Sequence, residues 1–266
     1  MAAVMRSRGR RLRGRLPRPL LRLDRTPERV QRQIAAVPTA GALCCVYRAS
    51  NGDRAHTLVE DALRAGLEPR LWALDTPVSA LTRWTVGTGP GLRQELLNRL
   101  VPDASDGWVV FADDDIVIRD GSLALLLTIA TRIGLDLAQP GHDARSRAST
   151  EFVRARPRVG VRRTGFVEIG PLLALDARAR DALLPLDESL GMGWGQDYLW
   201  ARVVDGDGLT AGIVDAVRIR HLPQESSTYD RAEATAHLDA CLARAGYRSY
   251  TDPMVTYATW RARDLA

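Results

Sequence analysis

The 266-residue sequence predicts an α/β fold with a mostly parallel central sheet flanked by helices. Its first half alternates apolar stretches of strand length with stretches in which apolar side chains recur at helical spacing. Residues 42–48 predict a strand, residues 54–65 a helix and residues 70–74 a second strand. A strand–helix–strand unit with short connections places its two strands parallel in one sheet. The 45% hydrophobic composition is sufficient for a substantial core.

The remaining elements follow the same alternation, except for one long polar segment. Residues 87–91 form a Gly-rich turn before a helix, without the Lys-Ser/Thr pair of a P-loop. Residues 141–163 are polar, Arg-rich and aperiodic, so we expect a long loop there. The other predicted elements are a helix at 92–100, a strand from 108 that runs into three aspartates, a helix at 121–133, a strand at 136–140, a strand pair or bent strand at 165–175, a helix at 197–203, a strand at 213–221 and a helix at 231–245.

The positive charge is concentrated at the N-terminus. Residues 1–32 contain eleven arginines and only two acids, Asp24 and Glu28, so this segment carries a net charge of +9 within a chain of net charge +5. The rest of the chain is therefore acidic, which argues against a nucleic-acid partner. We expect residues 1–38 to form a flexible basic extension and residues 39–266 to form a single domain. Such an extension can be simply solvated, can contact anionic lipid headgroups, or can attract a partner.

Cysteine usage and hydropathy predict a cytoplasmic protein, at most peripheral at the inner face of the membrane. The three cysteines, Cys44, Cys45 and Cys241, include no CxxC pair and have no histidine spacing that suggests zinc. No stretch of 18 uninterrupted apolar residues predicts a transmembrane helix.

Three adjacent carboxylates follow the apolar run 108–112. Asp113, Asp114 and Asp115 repel one another and are poor strand formers, so folding alone does not explain them. Hard cations such as Mn2+ or Mg2+ take carboxylate and phosphate oxygens together, which makes this stretch a candidate seat for a metal and a diphosphate. A turn whose carboxylates cap the following helix is the alternative. Asp75 ends the second strand at the same predicted sheet edge, where turn chemistry alone would also explain it.

Further candidates lie on the second half of the chain and on the helix at 92–100. In the Gly-rich loop 191–195, Trp194 offers a flat face for a sugar ring and Asp197 begins a helix, although core packing and an N-cap would also explain them. Glu168 is a single acid among apolar neighbours, where it needs either a salt bridge or a chemical task. His221 ends a strand and could complete an oxygen-rich metal site. Asn98 could approach the sheet edge, or could lie on the surface.

In order, these motifs resemble those of GT-A fold glycosyltransferases over roughly residues 40–222. The resemblance is strongest to a largely uncharacterised glycosyltransferase-like family marked by Phe-x-Asp-Asp-Asp-Ile, Gln-Pro, Phe-Val-Glu and Gly-Trp-Gly-x-Asp. These motifs stand here at 111–116, 139–140, 166–168 and 193–197.

The resemblance implies a transferase that moves a sugar from a nucleotide-sugar donor to a hydroxyl of a saccharide or other acceptor. Asp113 and Asp115 would form the metal-binding acidic pair, with Asp113 also near the ribose, and His221 would be a further ligand of Mn2+ or Mg2+. Asp114 would face away from the pair, because neighbouring side chains on an extended chain alternate. Asp75, Asn98 and Trp194 are donor-contact candidates.

The resemblance further implies an inverting reaction with Asp197 as general base and Glu168 as the alternative base. Many related loops carry Glu-Asp where this chain has Gln196 before Asp197. A domain of this fold that binds sugar or polymer without transferring it is the alternative function. A metal-dependent phosphohydrolase is a third, which the four histidines of the chain make less attractive.

Overall fold

A computed structural model describes residues 24–103, 107–222 and 231–265. Within these ranges the chain forms seven α-helices and ten strands, joined by several short 3-10 turns. In chain order they are α1 (Thr26–Gln33), β1 (Gly41–Tyr47), α2 (Gly52–Arg64), β2 (Glu68–Ala73), β3 (Thr85–Thr88), α3 (Arg93–Leu100), β4 (Trp108–Asp113), β5 (Ile116–Asp120), α4 (Leu123–Ile133), β6 (Leu137–His142), β7 (Val161–Thr164), β8 (Leu172–Leu175), α5 (Ala177–Leu183), α6 (Gln196–Gly206), β9 (Ala211–His221), α7 (Arg231–Ala245) and β10 (Thr256–Trp260).

The strands form one mixed sheet in the order β10-β7-β9-β6-β8-β4-β1-β2-β3, with β5 paired to β9 off this path. Strands β3, β2, β1 and β4 run parallel, and β6 runs parallel to β9. Strand β8 runs antiparallel between β4 and β6, and β7, β10 and β5 add further antiparallel pairs. The predicted α/β fold with helices flanking a sheet of parallel strands is confirmed.

The central strands are apolar throughout because both sheet faces are covered. On β1 and β4, Leu43 and Val110 join a core cluster that contains α2 and α4. Their neighbours Cys44 and Phe111 join the cluster on the opposite face, which contains α3, α5 and α6. Burial on two faces favours continuous apolar runs over alternation, as is typical of parallel strands. Each run ends at the sheet edge where the polar residues begin.

The part of the predicted basic extension that the structure describes is ordered against the domain. Val30 of helix α1 and Ile34, directly after the helix, are buried, and Asp24 forms an ion pair with Arg218 of β9. Residues 1–23 lie outside the described residues. All three cysteines are buried free thiols. In the described ranges, no helix combines the length and apolarity needed to cross a bilayer.

The predicted loop at 141–163 is partly wrong. Strand β6 continues through Pro140 to His142, paired in parallel with β9, and β7 occupies 161–164. Arg162 of β7 is buried and forms an ion pair with Asp215 of β9. A charged residue therefore occupies a buried strand position at which the sequence pattern would require an apolar one. In the predicted strand segment 165–175, only β8 is a strand. The short elements β3, α5 and β10 carried too little periodic pattern to be predicted.

Candidate functional site

The polar residues predicted to mark a site gather where β1, β2 and β4 end. These strands are parallel, so their carboxyl ends meet at one edge of the sheet. Asp113 is the last residue of β4, and a tight turn through Asp114 and Asp115 leads directly into β5. Antiparallel pairing of β5 with β9 sets Ile116 opposite His221. This register brings His221 from a distant part of the sequence to the side of Asp115.

Asp113, Asp115 and His221 form a cluster suited to a cation. One potential ligand atom from each residue lies within 4.8 Å of those of the other two. Nε2 of His221 is 3.2 Å from Oδ2 of Asp115, which is 2% exposed. Within the described ranges, neither carboxylate oxygen of Asp115 has a hydrogen bond of acceptable geometry. Burying a carboxylate without such partners costs free energy, and a bound divalent cation would offset that cost by balancing the negative charge.

The charge of Asp115 also acts on His221. Burial lowers the pKa of His221, but the neighbouring carboxylate outweighs burial, and the net shift is upward. In its protonated form, His221 would supply part of the positive charge that Asp115 needs. A metal ligand must offer a free lone pair, so a cation bound here would displace that proton.

Asp114 lies in the turn between β4 and β5 and is not part of the cluster. Its Oδ2 accepts a hydrogen bond from the backbone N–H of Arg48, 2.7 Å away at the end of β1. Burial raises its pKa, and the Arg48 bond counteracts part of that shift. Asp114 thus fixes the turn after β1.

Two cavities adjoin the cluster. The first, of about 590 Å3, lies over the ends of β1 and β2, and the second, of about 530 Å3, lies beside the loop before α6. The residues that line both are Arg93, Asp113, Met192 and Trp194. The first is also lined by Arg48, Asp75, Asp114 and His237, and the second by Ser149, Glu168, Asp197, Tyr198, His221 and Tyr250. Asp113 therefore lies at the boundary between the first and the second cavity.

Glu168 lies in the second cavity, 6% exposed. The hydroxyl of Ser149 donates a hydrogen bond to Oε1 of Glu168. The backbone N–H of Glu168 donates to Oε1 of Gln139 at 2.6 Å. Burial raises the pKa of Glu168 to about 7, against the opposing effect of the Ser149 hydrogen bond. A carboxyl group with this pKa accepts and releases protons near neutrality.

Asp197, in the first turn of α6, faces the same cavity and is half-buried. Burial raises its pKa to about 8, and the negative charge of Glu168 adds to the shift. The two carboxyl groups are therefore electrostatically linked, and at neutral pH Asp197 retains its proton. Gln196 beside it is buried and bonded to Gln94 of α3, so it joins two helices and is not among the residues that line the cavity.

Two predicted donor contacts lie at the first cavity, and one does not. Asp75 lines it and accepts a hydrogen bond from the backbone N–H of Ala49 at 2.8 Å. Trp194 is 37% exposed on the wall shared by both cavities. The side chain of Asn98 instead makes two hydrogen bonds with the backbone of Leu186. It donates to the carbonyl at 3.0 Å and accepts from the N–H at 2.8 Å. Asn98 does not line either cavity, so the geometry gives it a structural role.

Sequence reasoning missed Arg93. It is the first residue of α3, and its Nε donates to Oδ1 of Asp113 at 2.8 Å. With 36 other arginines in the chain, nothing in the sequence separates this one from a surface residue. Ser149, Tyr198 and Tyr250 were missed for the same reason, because polar and aromatic residues without a motif become recognisable only through the fold.

Comparison with known proteins supports the fold. No family model and no curated protein matches the sequence. The structure is similar to a crystal structure of GalNAc-T7 with UDP, GalNAc and Mn2+, with a TM-score of 0.56 and 11% identity over 79% of this chain. The fold is that of the GT-A glycosyltransferases. The match covers 48% of the GalNAc-T7 chain, so this chain spans about half of that protein.

Proposed function

We propose that the protein is a metal-dependent glycosyltransferase that moves a sugar from a nucleotide-sugar donor to an acceptor hydroxyl. The observation that carries the proposal is the buried carboxylate of Asp115, left without a good hydrogen bond and grouped with Asp113 and His221 beside two cavities. A transferase needs two spaces that share one reacting centre. The fold shared with GalNAc-T7, solved with UDP, GalNAc and Mn2+, supports this proposal.

In this proposal the first cavity takes the donor. Asp113, Asp115 and His221 would hold Mn2+ or Mg2+, and the bound ion would act as a Lewis acid for the negative charge that develops on the departing diphosphate. Asp75 would accept hydrogen bonds from the nucleoside. Trp194 would offer its ring face to the sugar, because sugar rings pack on flat aromatic surfaces.

The second cavity would take the acceptor, a saccharide or another molecule with a reactive hydroxyl. Asp197 in its ionised form, or Glu168, would receive the hydroxyl proton as the oxygen bonds to the anomeric carbon and the nucleoside diphosphate leaves with the electrons of the broken bond. We propose inversion at that carbon, because a carboxyl group that takes the acceptor proton allows the acceptor oxygen to attack in one step, opposite the leaving group.

Thermal unfolding with a panel of nucleotide sugars, each with and without Mn2+, tests the proposal. We expect one nucleotide sugar to raise the melting temperature of the wild type only when Mn2+ is present. Asp115→Asn should abolish this effect, because the buried metal ligand loses its charge. Asp53→Asn, which neutralises an exposed carboxylate of α2, is the matched control and should keep it. Retention of the full Mn2+-dependent shift in Asp115→Asn would contradict the proposal.

The second candidate function is a domain that binds sugar or polymer without transferring it. The exposed aromatic surfaces of Trp194 and Tyr250, 37% and 56% exposed at the second cavity, favour it. Stabilisation by a sugar without metal dependence, and without consumption of any nucleotide sugar, would support this alternative over transfer.

We also propose that the basic N-terminal residues allow peripheral contact with anionic membrane at the cytoplasmic face. The support is the net charge of +9 within residues 1–32. Co-sedimentation of the full chain with vesicles containing phosphatidylserine tests this proposal, and equal binding to neutral vesicles would contradict it.

A further inference from the structure

A buried histidine lies behind the second cavity and has no role in the proposal so far. His142, the last residue of β6, is 0% exposed, and its Nε2 makes no hydrogen bond of acceptable geometry within the described ranges. A buried donor or acceptor left without a partner destabilises the folded state. Burial lowers the pKa of His142 to about 4, with the nearby His221 adding to the shift, so the ring is neutral near pH 7.

The other ring nitrogen shows which nitrogen carries the proton. Nδ1 of His142 lies 2.8 Å from the hydroxyl of Ser146, and that hydroxyl accepts a hydrogen bond from the backbone N–H of His221 at 2.8 Å. The hydroxyl proton of Ser146 has two acceptors within reach, Nδ1 at 2.8 Å and the carbonyl of Arg147 at 3.4 Å. The shorter contact favours donation to Nδ1, which leaves the ring proton on Nε2.

Nε2–H then faces a carboxylate. It lies 3.5 Å from Oε2 of Glu168, whose other oxygen accepts from Ser149. Catalytic hydrogen bonds are often long before substrate binds and tighten in the complex. The Gln139 contact fixes the backbone of Glu168, so the contact with His142 has to shorten through movement of the Glu168 side chain.

The two carboxyl groups of the second cavity differ in their surroundings. Glu168 has a donor beside each of its oxygens, whereas the hydrogen bond found for the Asp197 carboxylate comes from the backbone N–H of Tyr198 at 3.1 Å. Donors that point at both oxygens stabilise the ionised form and fix the plane of the carboxylate. Of the two, Glu168 is therefore the better prepared to receive a proton.

We propose that His142 is a positioning residue that donates Nε2–H to Glu168, and that Glu168, held in this way, is the base that takes the acceptor proton. The second half rests on the proposed transferase function. In the reaction, the acceptor O–H bond breaks, its proton passes to the Glu168 carboxylate, and the oxygen forms the new bond to the anomeric carbon. Ser146 links this arrangement to the strand end that carries His221.

Nitrogen NMR of the imidazole rings tests the pairing without any substrate. The chain has four histidines, and His142→Gln identifies the signals of residue 142. We expect His142 to be neutral with its proton on Nε2, and we expect Glu168→Gln to shift its Nε2 resonance. Asp197→Asn, which replaces the other carboxyl group of the cavity, should leave that resonance unchanged. A proton on Nδ1, or an Nε2 resonance unmoved by Glu168→Gln, would overturn the pairing.

Kinetics test the role of the pair once a donor is found. His142→Leu should lower kcat about 10- to 100-fold with little change in KM, the range typical of lost second-layer hydrogen bonds. His142→Gln, which keeps a donor, should recover part of that loss, and Glu168→Gln should lower kcat further. Equal kcat in wild type and His142→Leu, or equal loss in both His142 variants, would overturn the positioning role. If the wild type consumes no nucleotide sugar, the transferase proposal fails, and the NMR result still decides the pairing.

Discussion

Replacing Asp197 by Asn should stabilise the protein, and more so as the pH rises. The folded-state pKa of this carboxyl group is about 8, against 3.8 for an unperturbed one, mainly because of burial and secondarily because of Glu168. Between these values the folded protein keeps a proton that the unfolded chain releases. The contribution to stability is therefore full below the unfolded pKa and is lost as the pH rises through the folded pKa.

The magnitude follows from proton linkage. One retained proton lowers the free energy of unfolding by about 1.4 kcal/mol per pH unit. Asparagine resembles the protonated carboxyl group and does not titrate, so the variant lacks this loss. The difference in stability between variant and wild type should grow by about 1.4 kcal/mol per pH unit from about pH 5 to about pH 7. His142 titrates in both proteins, so its contribution cancels in the difference.

Urea unfolding followed by tryptophan fluorescence at several pH values measures this difference. Asp205→Asn is the matched control, because Asp205 lies on the same helix, α6, and is exposed beside Arg202. That variant should differ from wild type by a constant small amount at every pH. A stability difference for Asp197→Asn that stays constant or shrinks with rising pH would refute the reasoning about Asp197.

Two further predictions concern contacts that support the site. Asn98→Ala should lower the free energy of unfolding by about 1–3 kcal/mol, because it leaves two backbone groups of Leu186 without partners. Mn2+ binding measured by calorimetry should stay unchanged in this variant, and loss of Mn2+ binding would contradict the structural role of Asn98. Arg162→Met should lower the free energy of unfolding, measured in urea, by about 3–5 kcal/mol, because the buried charge of Asp215 loses its ion-pair partner. Unchanged stability in that variant would show that Asp215 does not depend on Arg162.

The sequence was sufficient for the centre of the fold because the central strands are buried on two faces. The apolar runs of β1 and β4, and the acids that end β4, show where the sheet stops, and with it where ligands can bind. Strands β7 and β10 were missed. Arg162 stands at a buried position of β7. The half-buried side of β10 carries Thr256 and Ala258 beside Trp260, so no apolar period marks either strand.

The site could be predicted only where a motif marked it. Asp113, Asp115 and His221 converge because β5 pairs with β9, a register that the sequence does not display. Asn98 lies apart from both cavities and bonds to Leu186, and the sequence does not distinguish such a supporting position from one at the sheet edge. His142 was not predicted, because its importance depends on burial and on the direction of Nε2, which only the packed structure defines.

Release of nucleoside diphosphate from nucleotide sugars, with water accepting the sugar, is the direct assay of the proposed transferase chemistry. Mass spectrometry would follow each member of the panel with the wild type, with Asp115→Asn and with Asp53→Asn, in Mn2+ and in EDTA. We expect Mn2+-dependent release from one donor by the wild type and by Asp53→Asn, reduced by about 100-fold or more in Asp115→Asn. Equal release by Asp115→Asn, or release that EDTA leaves unchanged, would contradict a metal-dependent transferase held together by Asp115.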